Sequence, residues 1–145
     1  MNVLEINVLV LAYLGDTIYE DYIRRYLINK CIGNVNDLQK QSLKYVTASS
    51  QSKYLEKMID DNFFSNEEID IIKRARNNTN KSHPKNTDVI TYKKATGLEA
   101  LIGYLDLSNN KERIDEIMNY ILERWLWLYL EEMFVNWYLK KTWMY

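Results

Sequence analysis

The sequence predicts an all-α domain, and three observations carry that expectation. Turn-forming residues are scarce, with four glycines and one proline in 145 residues, too few for a many-stranded sandwich or barrel. Apolar residues recur at helical spacing in one segment after another. No stretch holds the alternation of a half-buried strand. Nearly half the residues are apolar and over a quarter are charged, an ordinary balance for one soluble domain with its own core.

The first helix is expected over residues 4–30, where Leu4, Val8, Leu11, Ile18, Tyr22 and Leu27 share a face, with room for one break near Gly15. Cys31-Ile-Gly33-Asn is a stop. A second helix is expected from about Asn36, with Leu38, Leu43 and Val46 inward, and a third from about Thr47 to Asp61, carrying Tyr54, Leu55, Met58 and Ile59. Ser65-Asn-Glu-Glu68 has the spacing of a capping box and opens a fourth helix, to about Arg76. Residues 77–91 have no helical period and are rich in Asn, Thr and Ser, so a loop is expected. Helix returns from about Tyr92 to Leu107, and a last one begins near Asn110.

The end of the chain changes in composition. All four tryptophans lie between Trp125 and Trp143, and the segment reads as a continuation of the last helix with a wide apolar face. Packing on the body or within an oligomer is expected before a membrane-surface role, because the segment lacks the strongly basic face of an interfacial helix. The expected organisation is a catalytic domain over residues 1–122 and an aromatic extension over 123–145.

Several classes are excluded. Cys31 is the single cysteine, so neither an intrachain disulfide nor a cysteine zinc cluster is available. The start carries Glu5 and no basic region ahead of its apolar run, unlike a secretory leader. No run approaches about 18 uninterrupted apolar residues, so no membrane span is expected. The expected location is the cytoplasm. The formal net charge of −1 conceals a basic stretch: Lys73, Arg74, Arg76, Lys81 and Lys85 occur with no acid among them, and Lys93 and Lys94 follow Asp88. Such local concentration suits a polyanionic partner.

Three segments bear on chemistry. Asp16 stands in the largely apolar run Leu11-Ala-Tyr-Leu-Gly-Asp16, where an unpaired carboxylate is costly to bury, and Glu20 follows one turn later on the same face. A divalent cation is one compensation; from spacing alone, a solvated acidic stripe is the commoner arrangement. In Ala95-Thr-Gly-Leu-Glu99-Ala-Leu-Ile-Gly103, one acid again stands among small and apolar residues. Gly97, Ala100 and Gly103 permit close approach of another helix. Should the Asp16 and Glu99 helices pack together, the two carboxylates can share a Mg²⁺, since no His/Cys cluster suggests zinc. The third segment is the basic loop, from Arg74, Arg76 and Asn77 to Lys85 and Asn86. Its mixture of cations with Asn, Ser and Thr suits phosphate and 2′-hydroxyl contacts, and equally a solvated surface loop. His83, the one histidine, reads as a loop donor rather than a general base.

These residues resemble a known family. LAYLGDTIYE is similar to the signature helix of ribonuclease III enzymes, and EALIGYLDL to their second acidic helix. RARN followed by PKNTDVITYKKATG resembles the Mini-III subgroup, which has the nuclease domain alone. The resemblance spans roughly residues 5–107. It implies an all-α endonuclease fold, a homodimer, and Mg²⁺-dependent hydrolysis of double-stranded RNA leaving 5′-phosphate and 3′-hydroxyl ends. Structured ribosomal RNA precursors are the implied substrates. It further implies Asp16 and Glu99 as catalytic metal ligands, with Glu20 as possible support. Arg74, Arg76, Asn77, Lys85, Asn86, Tyr92, Lys93 and Thr96 are the expected RNA-binding residues. Leu9, Ala12 and Thr96 stand where ribonuclease III enzymes carry further acids, a reduction that itself resembles Mini-III. The rival is a double-stranded-RNA-binding protein with the same fold and no turnover; survival of both Asp16 and Glu99 within their motifs favours the enzyme. A helical protein-interaction module would leave the basic loop unexplained.

Overall fold

A computed structural model of the chain describes residues 1–30, 33–78, 85 and 88–143, and of residues 124–129 the backbone only. Among the described residues there are helices and turns and no strand. The chain divides into two compact units, Met1–Ile114 and Asp115–Tyr145.

In the first unit, the apolar start does not run straight into the first helix. A short 3₁₀ turn over Val3–Glu5 comes first, and α1 spans Val8–Asn29. Asn7 supplies the reason, its side-chain oxygen accepting from the Leu9 amide at 2.8 Å and so capping the helix at Val8. Of the two alternatives at Gly15, a break or a glycine tolerated within the helix, the structure has the second, for α1 continues through it. Helix α2 covers Val35–Val46 behind an Asn34 cap, and α3 covers Ala48–Asp60 behind Thr47. Ser65 and Glu68 make the reciprocal capping box that opens α4, Asn66–Arg76. Helix α5 spans Val89–Leu107 and begins three residues before the expected Tyr92, because Asp88 caps it by accepting from the Thr91 amide. Helix α6 starts at Lys111 and continues to Trp143.

Two helix ends use asparagine where glycine is the usual residue. Asn62 and Asn109 adopt φ of 53° and 57°. The following amides reach back into the helix, Phe63 N to Met58 O at 3.0 Å and Asn110 N to Leu105 O at 2.8 Å. Asparagine tolerates this left-handed conformation better than most residues, so sharp turns here do not need glycine.

Helix α5 is the centre of the unit. It buries Ala95–Leu98, Ala100–Gly103 and Leu105, and α1, α3 and α4 pack around it. Around it lie Leu11, Tyr19 and Ile23 of α1, Leu55 and Met58 of α3, and Ile71 of α4, all essentially inaccessible. A helix apolar on nearly every side is stable in water only when surrounded. Two tyrosine hydroxyls inside are matched: that of Tyr19 donates to the Tyr45 carbonyl at 2.6 Å, and that of Tyr54 to the Lys44 carbonyl at 3.2 Å.

The crossing of α1 and α5 is unusually close and positions everything that follows. A Cβ added at Gly15 would lie 1.7 Å from the Glu99 carbonyl oxygen, and one at Gly103 would lie 2.0 Å from that of Leu11. Backbone meets backbone at both points, which only glycine allows. On the other side, Gly97 lets Ile72 of α4 approach, at 3.2 Å from where a Cβ would stand.

In the second unit, α6 remains one helix through the aromatic segment. Along it Phe134 and Trp137 have ring centroids 6.0 Å apart, and the Lys141 ammonium lies 4.5 Å from the centre of the Trp137 ring. No described helix is long and apolar enough to cross a membrane.

Candidate active site

Asp16 follows Gly15 directly, so the point where α1 touches α5 also brings its carboxylate beside Glu99. Asp16 is exposed, and Glu99 is half-buried. Burial pushes the Glu99 carboxyl up to about 8, and the nearby Asp16 charge and an Asp16 hydrogen bond push the same way. Glu20 adds a weaker repulsion from the next turn. Like charges at short range in a partly dry setting raise one another's proton affinity.

Opposing them is Gln51 of α3, whose amide interacts with Glu99 and favours its charged form. Gln51 is 2 % exposed, yet its Nε2 has no partner at full hydrogen-bond geometry. An orphaned buried amide beside a carboxylate is a polar edge left open toward the site. Sequence reading passed over this residue, though a signal existed. Gln51 shares the helical stripe of Tyr54, Leu55 and Met58, where an apolar side chain is the expectation.

Two hard oxygen donors held together, one of them resisting ionisation, are the donors a divalent cation satisfies. Among the described residues no three His, Cys, Asp or Glu side chains gather as a metal cage. The donor set therefore fits Mg²⁺, which commonly takes one or two carboxylates with waters and phosphate, and does not fit a structural zinc. Glu20 is engaged with Arg24 at 3.4 Å, in keeping with a supporting place.

The expected RNA-binding residues divide. Arg74 and Arg76 lie in the last turn of α4, Asn77 caps it, and Lys85 is exposed. Arg74 donates to the Leu4 carbonyl at 3.3 Å, and Arg76 to the Asn77 side chain at 3.4 Å. Tyr92 and Lys93 are half-buried in the first turns of α5. Thr96 is buried, and its hydroxyl donates to the Tyr92 carbonyl at 2.9 Å. Asn86 and His83 lie outside the described residues. Lys94, unassigned from sequence, pairs with Glu56 of α3.

With this geometry, comparison with known proteins is decisive. The ribonuclease III domain family matches residues 9–110. The chain belongs to the ribonuclease III family, and with it to the endoribonucleases. It is 42% identical over 117 residues to Mini-ribonuclease 3 of Staphylococcus aureus, covering 81% of this chain and 87% of that protein. Mini-ribonuclease 3 of Brevibacillus brevis is 44% identical over 112 residues, 77% of this chain and 82% of the relative. A crystal structure of a Fusobacterium nucleatum protein superposes with a TM-score of 0.73 at 38% identity, covering 82% of this chain and 93% of that one. The ribonuclease III match covers both carboxylates and the glycines that set them together.

Proposed function

We propose that the chain is a Mg²⁺-dependent endoribonuclease that cuts double-stranded RNA, acting as a cytoplasmic homodimer on ribosomal RNA precursors. Residues 1–122 form its catalytic domain, and 123–145 extend it. The observation that carries this reading is the Asp16–Glu99 pair: two carboxylates held together by a glycine-mediated helix crossing, with Glu99 raised to about 8.

In this reading Asp16 and Glu99 hold the cation, and Gln51 fixes the Glu99 carboxylate from behind. When bound there, Mg²⁺ supplies an acidified water and neutralises charge developing on the phosphodiester. The remaining work falls to side chains. Asp16, exposed on α1, faces the approaching strand, while Glu99 is held on the drier side of the site by the packing around it. Arg74, Arg76, Asn77, Lys85 and Asn86 grip phosphates and 2′-hydroxyls of an A-form duplex, and Tyr92 with Lys93 continues that path along α5 toward Glu99. A second protomer sets an equivalent pair across the duplex, so that both strands are cut.

The test is cleavage of a long RNA duplex by the purified chain with Mg²⁺, alongside EDTA and Asp16→Asn. Cutting into 5′-phosphate products that disappears in both controls is expected. Duplex binding without cutting, unchanged by the substitution, would overturn the reading in favour of an RNA-binding protein.

A further inference from the structure

From Leu130 onward α6 exposes an apolar surface that nothing in the nuclease reading uses. Leu130, Phe134, Trp137 and Tyr138 are 52%, 65%, 54% and 58% exposed, and they recur at i, i+4, i+7 and i+8, one continuous stripe. Met133, three residues after Leu130 and four before Trp137, widens that stripe at 53% exposed, and Val135, Leu139 and Trp143 are at least half exposed on the remaining faces. A helix this apolar is normally covered.

The charges say by what. The segment reads Glu131-Glu132-Met133-Phe134-Val135-Asn136-Trp137-Tyr138-Leu139-Lys140-Lys141: two acids, three apolar residues, an amide, three apolar residues, two bases. Reversed end for end, the pattern returns with every charge inverted. We propose that this segment is a self-association element, in which the α6 helices of two copies pair antiparallel about Asn136.

In that arrangement Glu131 of each copy lies against Lys141 of the other, and Phe134 against Tyr138. Glu131 and Lys141 both border the aromatic stripe, at i+1 and i+11 from Leu130, so the ion pairs close its two ends. Lys141 already rests over the Trp137 ring, which holds its ammonium at the stripe's edge. Parallel pairing in register would set Glu131 on Glu131 and Lys141 on Lys141, and like charges facing each other select against it. A membrane surface is the less favoured cover, because the two lysines are matched by two acids within the same segment rather than forming a basic face. The proposal is independent of catalysis.

The full chain, treated with a carbodiimide that joins carboxylate to amine without a spacer, is the direct test. Along one helix Glu131 and Lys141 are about 15 Å apart, so a bond between them can form only across two chains. The expected result is a covalent dimer whose digest contains the Glu131–Lys141 peptide. Glu131→Lys and Lys141→Glu variants, checked for unchanged helicity, should each lose the link, and association beyond the homodimer of the nuclease domain should weaken at least fivefold by sedimentation. Mixing the two, or combining both changes in one chain, should restore association. A digest without that peptide, or association indifferent to either reversal, would overturn the proposal. So would co-sedimentation with phosphatidylglycerol vesicles in place of self-association, which would assign the surface to lipid.

Discussion

Two carboxylates reach the interior of this protein in opposite circumstances. Glu68, at the start of α4, is met by Arg113: Nε and Nη2 donate to its two oxygens at 2.9 Å each, and the Ser65 amide donates at the same distance. Burial alone would raise its proton affinity, but the Arg113 and Ser65 bonds outweigh burial and hold the carboxyl below its ordinary range. Arg113 is itself spread over the Phe63 ring at 4.5 Å and bonded to the Phe63 carbonyl at 2.7 Å. Glu99 has no such partner: it faces Asp16, feels Glu20, and receives only the imperfect help of Gln51. A buried acid whose charge is fully met is architecture; one set against another acid is kept for something that arrives later.

The comparison is sharpest when each acid is removed. Asp16→Asn should lower duplex cleavage by on the order of 10³-fold, several kcal/mol of transition-state stabilisation, and leave the fold intact by circular dichroism. Arg113→Ala should do the reverse. Glu68 would lie buried and unpaired, costing about 3–5 kcal/mol in denaturant unfolding, with cleavage at low temperature preserved in the molecules that remain folded. Equal damage to cleavage and to stability by the two substitutions would erase the distinction.

A weaker effect is expected from Gln51→Leu, which fills the same stripe of α3 with an apolar side chain. Stability should hold or rise, because an unpartnered amide leaves the core, while affinity for Mg²⁺ should fall about tenfold, as for other groups that orient a ligand. Affinity unchanged by that substitution would remove Gln51 from the site.

The smallest effect is one of pH. Glu99 takes up a proton on folding, since its carboxyl lies near 8 in the fold and near 4.3 in an unfolded chain. Between those values the folded state holds the extra proton, so metal-free stability must fall as pH rises from about 5 to 8. Glu99→Gln should flatten that slope and, without metal, be the more stable protein at pH 8 by on the order of 1 kcal/mol. Glu68 slopes the other way: its stabilisation is present above about pH 4.3 and is lost in acid as pH falls through its lowered folded value. Thermal melts with chelator across pH 4–9 separate the two.

Much of this was legible in the chain. Ser65 and Glu68 announced α4, the small residues Gly97 and Gly103 announced a helix crossing, and the two acidic motifs announced which acids would meet. Helix starts were less legible where the cap was an asparagine or aspartate already counted as loop, as at Asn7 and Asp88. Gly15 misled in one respect, since a residue read as a possible break is where the helix continues and must stay bare. Gln51 was missed because a polar residue in a polar run looks solvated; the stripe it shares with Tyr54, Leu55 and Met58 marks it as inward, but what it meets there depends on where α5 lies. Arg113 likewise acquires its role from partners 45 and 50 residues away.

The contact of Gly15 with Glu99 and of Gly103 with Leu11 has a consequence for how such an enzyme can vary. Elsewhere in the core the distance between helices depends on side-chain volume, and each exchange of one aliphatic residue for another shifts it. At this crossing the gauge is the thickness of two polypeptide backbones, a dimension that exchange of the surrounding side chains does not tune so long as Gly15 and Gly103 stay. The reach between Asp16 and Glu99 is thereby insulated from drift in the surrounding interior, which is free to change residue by residue while the acids keep their separation.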